Sequence, residues 1–395
     1  MKKIKHICFK GKRVLVRVDF NVPLDSSLII TDDSRIKASL PTIQKIISDG
    51  GMAVIMSHLG RPKNGFEDCF SLKHLVNHLS NLLKKSVAFS SNCIGKKTLN
   101  NVNKMNKGDV LLLENLRFHN EEKLGDTSFA KQLSLLGDVY INDAFGSAHR
   151  NHASTSVIAQ YFPNDKYFGE LLYNELSNLK KALDCPKRPF TAIIGGAKIT
   201  GKIDVIKSLF NKVDNLIIGG GMAYTFIKAS GGNIGNSLCE EDKIELAKKL
   251  IIVAKKRGVK LLLPLDSINT DVFDNNGIIQ KSDISHIPDG FIGLDIGEES
   301  IASFSNIIVS SKTIIWNGPM GVFEMENFAN GTKKIGEVIC KATKNGAFSL
   351  VGGGDSVAAI KQFGLSNEVS YISTGGGAML EYLEGKELPG VTAIE

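Results

Sequence analysis

Of the 48 lysine and arginine residues only eight are arginine, and six of these precede residue 151. Scarce arginine directs attention to places that need its planar, bidentate fork. Three stand in short polar segments that follow apolar runs: Arg61 in SHLGRP (57–62), Arg117 in ENLRFH (114–119) and Arg150 in DAFGSAHR (143–150). Each has a histidine close by: His58, His119 and His149. Arg35 lies in the polar segment after the first apolar run, which ends in Asp19-Phe20-Asn21. Brought to one edge of one sheet, these arginines repel each other unless a strongly anionic ligand lies among them. The plainer reading pairs them with Asp19, Glu114 and Asp143. For any one arginine that reading holds equally well, because surface pairs are common and weak. For the whole set, anion binding explains more.

After residue 190 the corresponding segments are rich in glycine: GGAKITGK (195–202), GGGMA (219–223), NGPMGVFE (317–324) and GGGDS (352–356). Glycine lets backbone N–H groups approach phosphate closely, and a following helix adds its positive end. One glycine turn means little; four on one sheet, two with lysine or aspartate attached, point to nucleotide phosphates. Lys198 and Lys202, four residues apart, would face two phosphates from the start of a helix, where solvated cations are disfavoured. Residues 196–202 also spell G-x-x-x-x-G-K, but Ile203 stands where a P-loop needs a hydroxyl on Mg²⁺. His74 and His78 have metal-ligand spacing, yet no H-E-x-x-H accompanies them and a solvated helix face explains them more simply.

These residues need elements to carry them. Short runs rich in Val, Ile and Leu at 13–20, 52–57, 110–114, 139–142, 190–194, 216–218, 261–265, 313–316, 348–351 and 369–373 read as buried parallel strands. Amphipathic helices separate several of them; one is 71–85, with Ser71 as its N-cap. The segment 168–183 reads as a long helix, which Cys185-Pro-Lys-Arg-Pro189 then ends. Strand–helix alternation predicts an α/β fold with helices on both faces of each sheet. Two doubly wound parallel-sheet domains of the Rossmann-like kind, joined by a hinge helix, are therefore expected. Ligands bind beyond the carboxyl ends of such strands, where the segments above begin.

A chain of 395 residues exceeds one ordinary core, in keeping with two domains. No apolar run approaches a membrane span, and the lysine-rich start lacks the apolar stretch of a signal peptide. The six cysteines are scattered without a C-x-x-C pair, which points to a reduced, cytoplasmic setting. A net charge of +7 suits an anionic partner of either kind, but 7% aromatic residues and arginines gathered at strand ends argue against a nucleic-acid binder.

Taken together, RVDFNVP (17–23), SHLGRP (57–62), ENLRFH (114–119), the His149-Arg150 pair, GGAK (195–198), WNGPMGVFE (316–324) and GGGDS (352–356) resemble the signatures of the phosphoglycerate kinase family. They stand in the family's order and cover essentially the whole chain. The resemblance implies that a domain of residues 1–167 binds 3-phosphoglycerate or 1,3-bisphosphoglycerate through Asp19, Asn21, Arg35, Ser57, His58, Gly60, Arg61, Arg117 and Arg150. It implies an interdomain helix at 168–183 and a nucleotide domain at 184–378 that takes ADP or ATP with Mg²⁺. There Lys198 and Lys202 would face phosphates, Gly219, Gly220 and Gly293 would line the adenine pocket, and Asn317 would lie near the phosphates. Glu324 would hold the ribose hydroxyls, Asp355 the metal, and Gly353, Gly354 and Ser356 the phosphate chain. Ser356 stands where many members carry threonine, which keeps the hydroxyl. The end of the chain, 379–395, would pack back on the first domain.

The implied reaction is 1,3-bisphosphoglycerate + ADP ⇌ 3-phosphoglycerate + ATP. Its acceptor is already an anion in either direction, so no general base is required; charge neutralisation and in-line positioning are. Arg35 would act on the moving phosphoryl from one side, Lys198 and the metal from the other, with backbone donors from Gly375 and Gly376. Substrates on separate domains must meet, so closure is expected. A monomer without nucleic-acid or membrane partners is expected too. The alternative is another nucleotide-dependent phosphotransferase or a P-loop-like ATPase.

Overall fold

The structure, a computed structural model, describes residues 4–63 and 65–395. The chain forms two compact units: Met1–Ser177 with Glu387–Glu395, and Asn178–Lys386. The division falls inside the helix Glu170–Leu183.

The first unit holds six parallel strands: β1 (Arg13–Val18), β2 (Met52–Met56), β3 (Val87–Ser90), β4 (Val110–Leu113), β5 (Val139–Asp143) and β6 (Lys166–Phe168). Their order is β3-β4-β2-β1-β5-β6. The winding reverses beside β1, where a crevice opens in folds of this kind. Val14, Val16 and Val18 of β1 pack with Ile55, Leu112 and Ile141 against Ile36, Ile43, Leu72 and Leu79. Register places Arg17 opposite Met56 and Val18 opposite Asp143, so the segments after β1, β2 and β5 start level.

The second unit contains β7 (Phe190–Ile194), β8 (Asn215–Ile218), β9 (Asn233–Ile234), β10 (Lys260–Leu262), β11 (Asp266–Thr270), β12 (Ile279–Asp283), β13 (His286–Ile287), β14 (Ile292–Ile296), β15 (Thr313–Asn317), β16 (Phe348–Gly352) and β17 (Tyr371–Ile372). The main sheet is parallel, in the order β10-β8-β7-β15-β16-β17. Ile193, Ile217, Ile314, Trp316 and Val351 pack with Phe304, Ile308, Ile335 and Ile339. Asn317 lies opposite both Ile194 and Gly352, which aligns three of the glycine segments.

The doubly wound parallel architecture is the one expected; several details differ. β3 and β6, at the two edges of the first sheet, went unforeseen. So did the antiparallel sheet β12-β11-β14 and the small pair β9–β13. The helix expected from residue 168 begins at Glu170, because Phe168 belongs to β6. The helix expected at 71–85 is a 3₁₀ turn, Leu72–Leu75, followed by an α-helix, Val76–Leu83; Ser71 Oγ caps the turn by accepting from Lys73 N at 3.2 Å. The return of the chain end starts at Glu387 rather than at Met379. Met379 and Leu383 are buried in the second unit on the helix Gly376–Leu383, whose apolar face is already used there. From Glu387 onward the tail joins the first unit: Asn142 Nδ2 donates to Gly390 O at 2.9 Å and Lys166 Nζ to Ala393 O at 2.6 Å.

Candidate active site

In the first unit a cavity of about 450 Å³ opens at the carboxyl ends of β1, β2, β4 and β5, lined by Asp19, Asn21, Arg35, His58, Arg61, Arg117, Lys123, Ser147, His149, Arg150 and His152, among others. The loops that carry these side chains are tied to one another. Asn21 Oδ1 accepts from Gly60 N at 2.8 Å, and Ser57 Oγ accepts from Phe20 N and donates to Val18 O, both at 2.8 Å. Asn115 Nδ2 donates to Leu59 O at 2.7 Å and Phe70 O at 2.9 Å, while its Oδ1 accepts from Arg117 N at 3.0 Å. Ser57 and Gly60 thus sit in the loop framework rather than on the cavity wall.

The plainer pairing of the arginines holds only for Arg35, whose Nη1 lies 3.2 Å from both Asp19 oxygens. Glu114 accepts from Ser71 Oγ, Leu72 N and Asn115 N at 2.7–2.9 Å, and Asp143 accepts from Leu172 N at 3.1 Å. Both carboxylates hold backbone and leave the arginines uncompensated. Among the described residues, Arg61, Arg117 and Arg150 form no ion pair. Arg117 instead donates from Nη1 to Gly60 O at 2.8 Å, and its Nε is buried without a partner. Burial, with Arg17 beside it, brings Arg117 down to about 10, so it stays a cation at neutral pH. Burial also holds His58 well below its ordinary value against the opposing Asp19, and together with the nearby arginines takes His152 to about 4. Burial works to raise Asp19, and the positive charges around it, Arg35 and Arg17 among them, bring it below its ordinary value instead.

Sequence reasoning missed Lys123, Ser147 and His152 in this wall, and the buried Arg17 behind it. His152 had a legible signal, being three residues after His149 on the same arginine-bearing segment. Lys123 had none.

In the second unit a cavity of about 470 Å³ is lined by Gly196, Gly220, Gly293, Glu324 and Asp355, with Leu238, Phe273, Ile292, Met320 and Val322 as apolar walls. Three strand-end loops pack here with no room for side chains. Gly220 has φ +67°, and a Cβ on it would stand 2.5 Å from Gly196 N and 2.9 Å from Pro319 O. A Cβ on Gly293 would meet Tyr224 Oη at 2.2 Å; that hydroxyl bonds Ser267 Oγ at 2.9 Å. Glu324 and Asp355 are exposed at the rim.

Other expected residues lie beside this cavity rather than on its wall. Gly219 is covered by Met320. Asn317 is buried, and its Nδ2 lacks a partner. Gly353 and Gly354 begin the helix Gly354–Gln362, and a Cβ on Gly376, which opens the helix Gly376–Leu383, would stand 3.4 Å from Gly353 Cα and 3.5 Å from Gly354 N, so two helix starts converge. Ser356 is buried, and its Oγ accepts from Gly318 N. Lys198 is exposed; its neighbours Ile199 and Thr200 donate backbone N–H to Glu240 Oε2 at 2.5 and 3.3 Å. Lys202 does not stand alongside Lys198. Its backbone leaves the helical region (φ −130°, ψ 1°), and Nζ turns inward to Gly195 O and Asn317 O at 3.2 Å from the latter. Burial brings that ammonium down to about 8, with Asp355 opposing.

A polycationic pocket on one doubly wound unit and a glycine-walled, apolar cavity on another define a class: enzymes that handle a small anionic substrate and a nucleotide. The family model for phosphoglycerate kinase matches residues 4–386. The chain is 51% identical to phosphoglycerate kinase of Porphyromonas gingivalis, covering 99% of both, and 52% identical to that of Chloroherpeton thalassium, covering 100% of this chain and 98% of the relative. Among solved structures, phosphoglycerate kinase from Coxiella burnetii superposes with a TM-score of 0.90 at 38% identity, and that from Pyrococcus horikoshii OT3 with 0.86 at 31%; each comparison covers 100% of this chain and 98% of the other. The chain belongs to the phosphoglycerate kinase family. It is therefore a kinase with a nucleotide and a small molecule as substrates, and the P-loop alternative is not favoured. Among the described residues no helix is long and apolar enough to cross a membrane.

Proposed function

We propose that the chain catalyses reversible phosphoryl transfer from 1,3-bisphosphoglycerate to ADP, giving 3-phosphoglycerate and ATP, with a carboxylate as acceptor in the reverse direction. The observation that carries this reading is the cavity of the first unit, where Arg35, Arg61, Arg117 and Arg150 converge while Glu114 and Asp143 are bound to backbone N–H groups. Such a site needs an anion of more than one charge to balance it. The first unit accordingly takes the glycerate ligand and the second the nucleotide.

In this reading Asp19, Asn21 and His58 meet the glycerate carboxyl and hydroxyl, and Arg61, Arg117 and Arg150 its phosphate. Ser57 and Gly60 hold the loops that aim them. The apolar walls near Gly220 and Gly293 take the adenine, Glu324 the ribose hydroxyls, and the start of the helix Gly354–Gln362 the phosphate chain. The family implies Mg²⁺ with the nucleotide. The residues present fit it: Asp355 offers an exposed carboxylate on the cavity wall, and Mg²⁺ typically binds one or two protein carboxylates besides phosphate oxygens. When bound, Mg²⁺ supplies positive charge to the phosphates. Lys198 and Arg35 neutralise the phosphoryl group in flight from opposite sides, and the N–H groups at Gly375 and Gly376 add donors. The acceptor needs no deprotonation, so orientation and charge carry the rate. We further propose that the protein acts as a cytoplasmic monomer.

The test is ATP formation from ADP and freshly made 1,3-bisphosphoglycerate, read through a coupled hexokinase assay. Turnover with this acyl phosphate and none with a phosphate monoester is expected. Failure to form ATP from the acyl phosphate would overturn the reading.

A further inference from the structure

Behind the anion pocket lies a second polar set that does not line its cavity. Arg17 of β1 and Glu122 of the helix Asn120–Leu124 are both fully buried. Ser154 stands between them. Its Oγ accepts from Arg17 Nε at 2.9 Å and donates to Glu122 Oε1 at 2.6 Å, and its backbone N donates to Oε2 at 2.9 Å. Both carboxylate oxygens accept, as suits an ionised counter-charge for Arg17. The rest of the guanidinium fork is committed as well: Nη1 donates to Val18 O, and Nη2 lies 3.1 Å from His58 Nδ1.

Arginine has donors only. The ring nitrogen that it faces must therefore present a lone pair, and the single proton of a neutral imidazole must sit on Nε2. That atom lies on the pocket side, 4.0 Å from Asp19 Oδ1. An imidazolium would set N–H against N–H at Nδ1. We propose that Arg17, held to Glu122 through Ser154, is a positioning residue that locks His58 as the Nε2–H tautomer, giving the pocket a directed neutral donor at this point instead of another cation. The proposal rests on the glycerate reading of the pocket for the identity of the ligand alone.

The surroundings favour the same state. The charged groups that face His58 are Asp19, Arg17, Arg117 and Arg35. Asp19 alone favours an imidazolium, and Arg35 already engages that carboxylate. Lysine cannot replace Arg17 in this arrangement, because one ammonium on a flexible stem does not reach Ser154 and His58 in the fixed directions of the fork. A neutral ring also keeps its donor on Nε2 across the range in which free histidine titrates.

The direct test uses the unliganded, full-length, ¹⁵N-labelled protein. Long-range ¹H–¹⁵N correlation reads each imidazole nitrogen, and His58→Gln identifies the signal. His58 is expected to show an unprotonated Nδ1 and a protonated Nε2, unchanged between about pH 5 and 8. A protonated Nδ1, or a ring that titrates in that window, overturns the proposal. In Arg17→Lys the freed ring should regain titration. The KM for 3-phosphoglycerate should rise about tenfold, as when one well-aimed hydrogen bond is lost, with the KM for MgATP within about twofold. Affinity for 3-phosphoglycerate should also become pH-dependent, tightening as His58 takes up a proton. An Arg17→Lys enzyme with wild-type KM and a flat pH profile overturns the proposal, and if this variant fails to fold the wild-type ring measurement still decides. His58→Gln, whose amide reaches the Nε2 position, should retain more affinity than His58→Asn, which mimics Nδ1; the reverse order would contradict the assignment. An error in the ligand's identity shows separately, as absent 3-phosphoglycerate binding by the wild type alongside an unchanged ring spectrum.

Discussion

Replacing Arg117 by lysine keeps the charge and removes the fork. In the structure one arm of the guanidinium is fixed, Nη1 to Gly60 O at 2.8 Å, and the buried Nε has no protein partner. The open edge is therefore at Nη2, which no protein group engages on the cavity wall and which matches an oxygen of a phosphate or carboxylate. A lysine at 117 serves either Gly60 O or one ligand oxygen, so at least one charge-assisted hydrogen bond is lost. Such a bond contributes about 1.5–3 kcal/mol, which corresponds to roughly 10- to 150-fold in affinity. Calorimetry of 3-phosphoglycerate binding to Arg117→Lys reads this directly, and the KM for MgATP, whose proposed site lies on the second unit, serves as the control. A loss below about threefold, with thermal stability unchanged, would mean that the open edge does not face the ligand. An equal loss for both substrates would mean that the substitution acts through the fold.

Lys198→Ala should lower kcat by about 10²–10³, the scale for losing one group that stabilises transition-state charge, while 3-phosphoglycerate affinity stays near wild type; turnover close to wild type would remove Lys198 from its role. Asp355→Ala should abolish productive use of MgATP, and calorimetry with 3-phosphoglycerate alone should show binding preserved; a large loss there would implicate the fold instead. Burial lifts the Asp143 carboxyl to about 7, against the hydrogen bonds from Thr42 and Leu172. The native state therefore keeps a proton that the unfolded chain releases near pH 4, and stability falls as pH rises from there towards 7, by up to about 4 kcal/mol. Asp143→Asn, which keeps an acceptor for Leu172 N, should gain on the wild type at pH 8 and lose that advantage near pH 4. Urea unfolding at both pH values checks this, and a pH-independent difference would refute it.

The central strands were legible because a strand buried on both faces must be a continuous apolar run, as VLLL of β4 and FTAII of β7 are. β6 (KYF) escaped because an edge strand pairs on one side and tolerates polar residues. β12 (IQKSD), almost wholly exposed, carries no core signal at all. At the site, chemistry was legible where residue types repeat at successive strand ends, as with Arg61, Arg117 and Arg150. The placing of Lys202 was not legible, because spacing assumes a regular helix, whereas residues 200–202 form a 3₁₀ turn that points its side chain inward. Arg17 was invisible as a functional residue. Within RVLVRV nothing names a partner for a cation in a buried strand, and only the three-dimensional partners Ser154 and His58 reveal why one is buried there.

That burial bears on how the pocket binds an anion at all. Converging cations destabilise the folded chain unless carboxylates compensate, and compensating carboxylates would compete with the ligand. This chain separates the two effects. Glu122 balances Arg17 from behind through Ser154, out of reach of the cavity, and Glu114 fastens the turn at Leu72. Asp19, the one carboxylate on the wall among the described residues, engages Arg35. Arg61, Arg117 and Arg150 keep their charge for the cavity, and His58 adds a donor without adding charge. A multiply charged ligand should therefore stabilise the first unit more than its contacts alone suggest, because it also relieves repulsion among the arginines. The stabilisation by 3-phosphoglycerate, read as a shift in thermal midpoint, should shrink as salt rises from about 0.01 to 0.15 M, since screening relieves the same repulsion. A salt-independent shift would mean that the arginines are already neutralised within the protein.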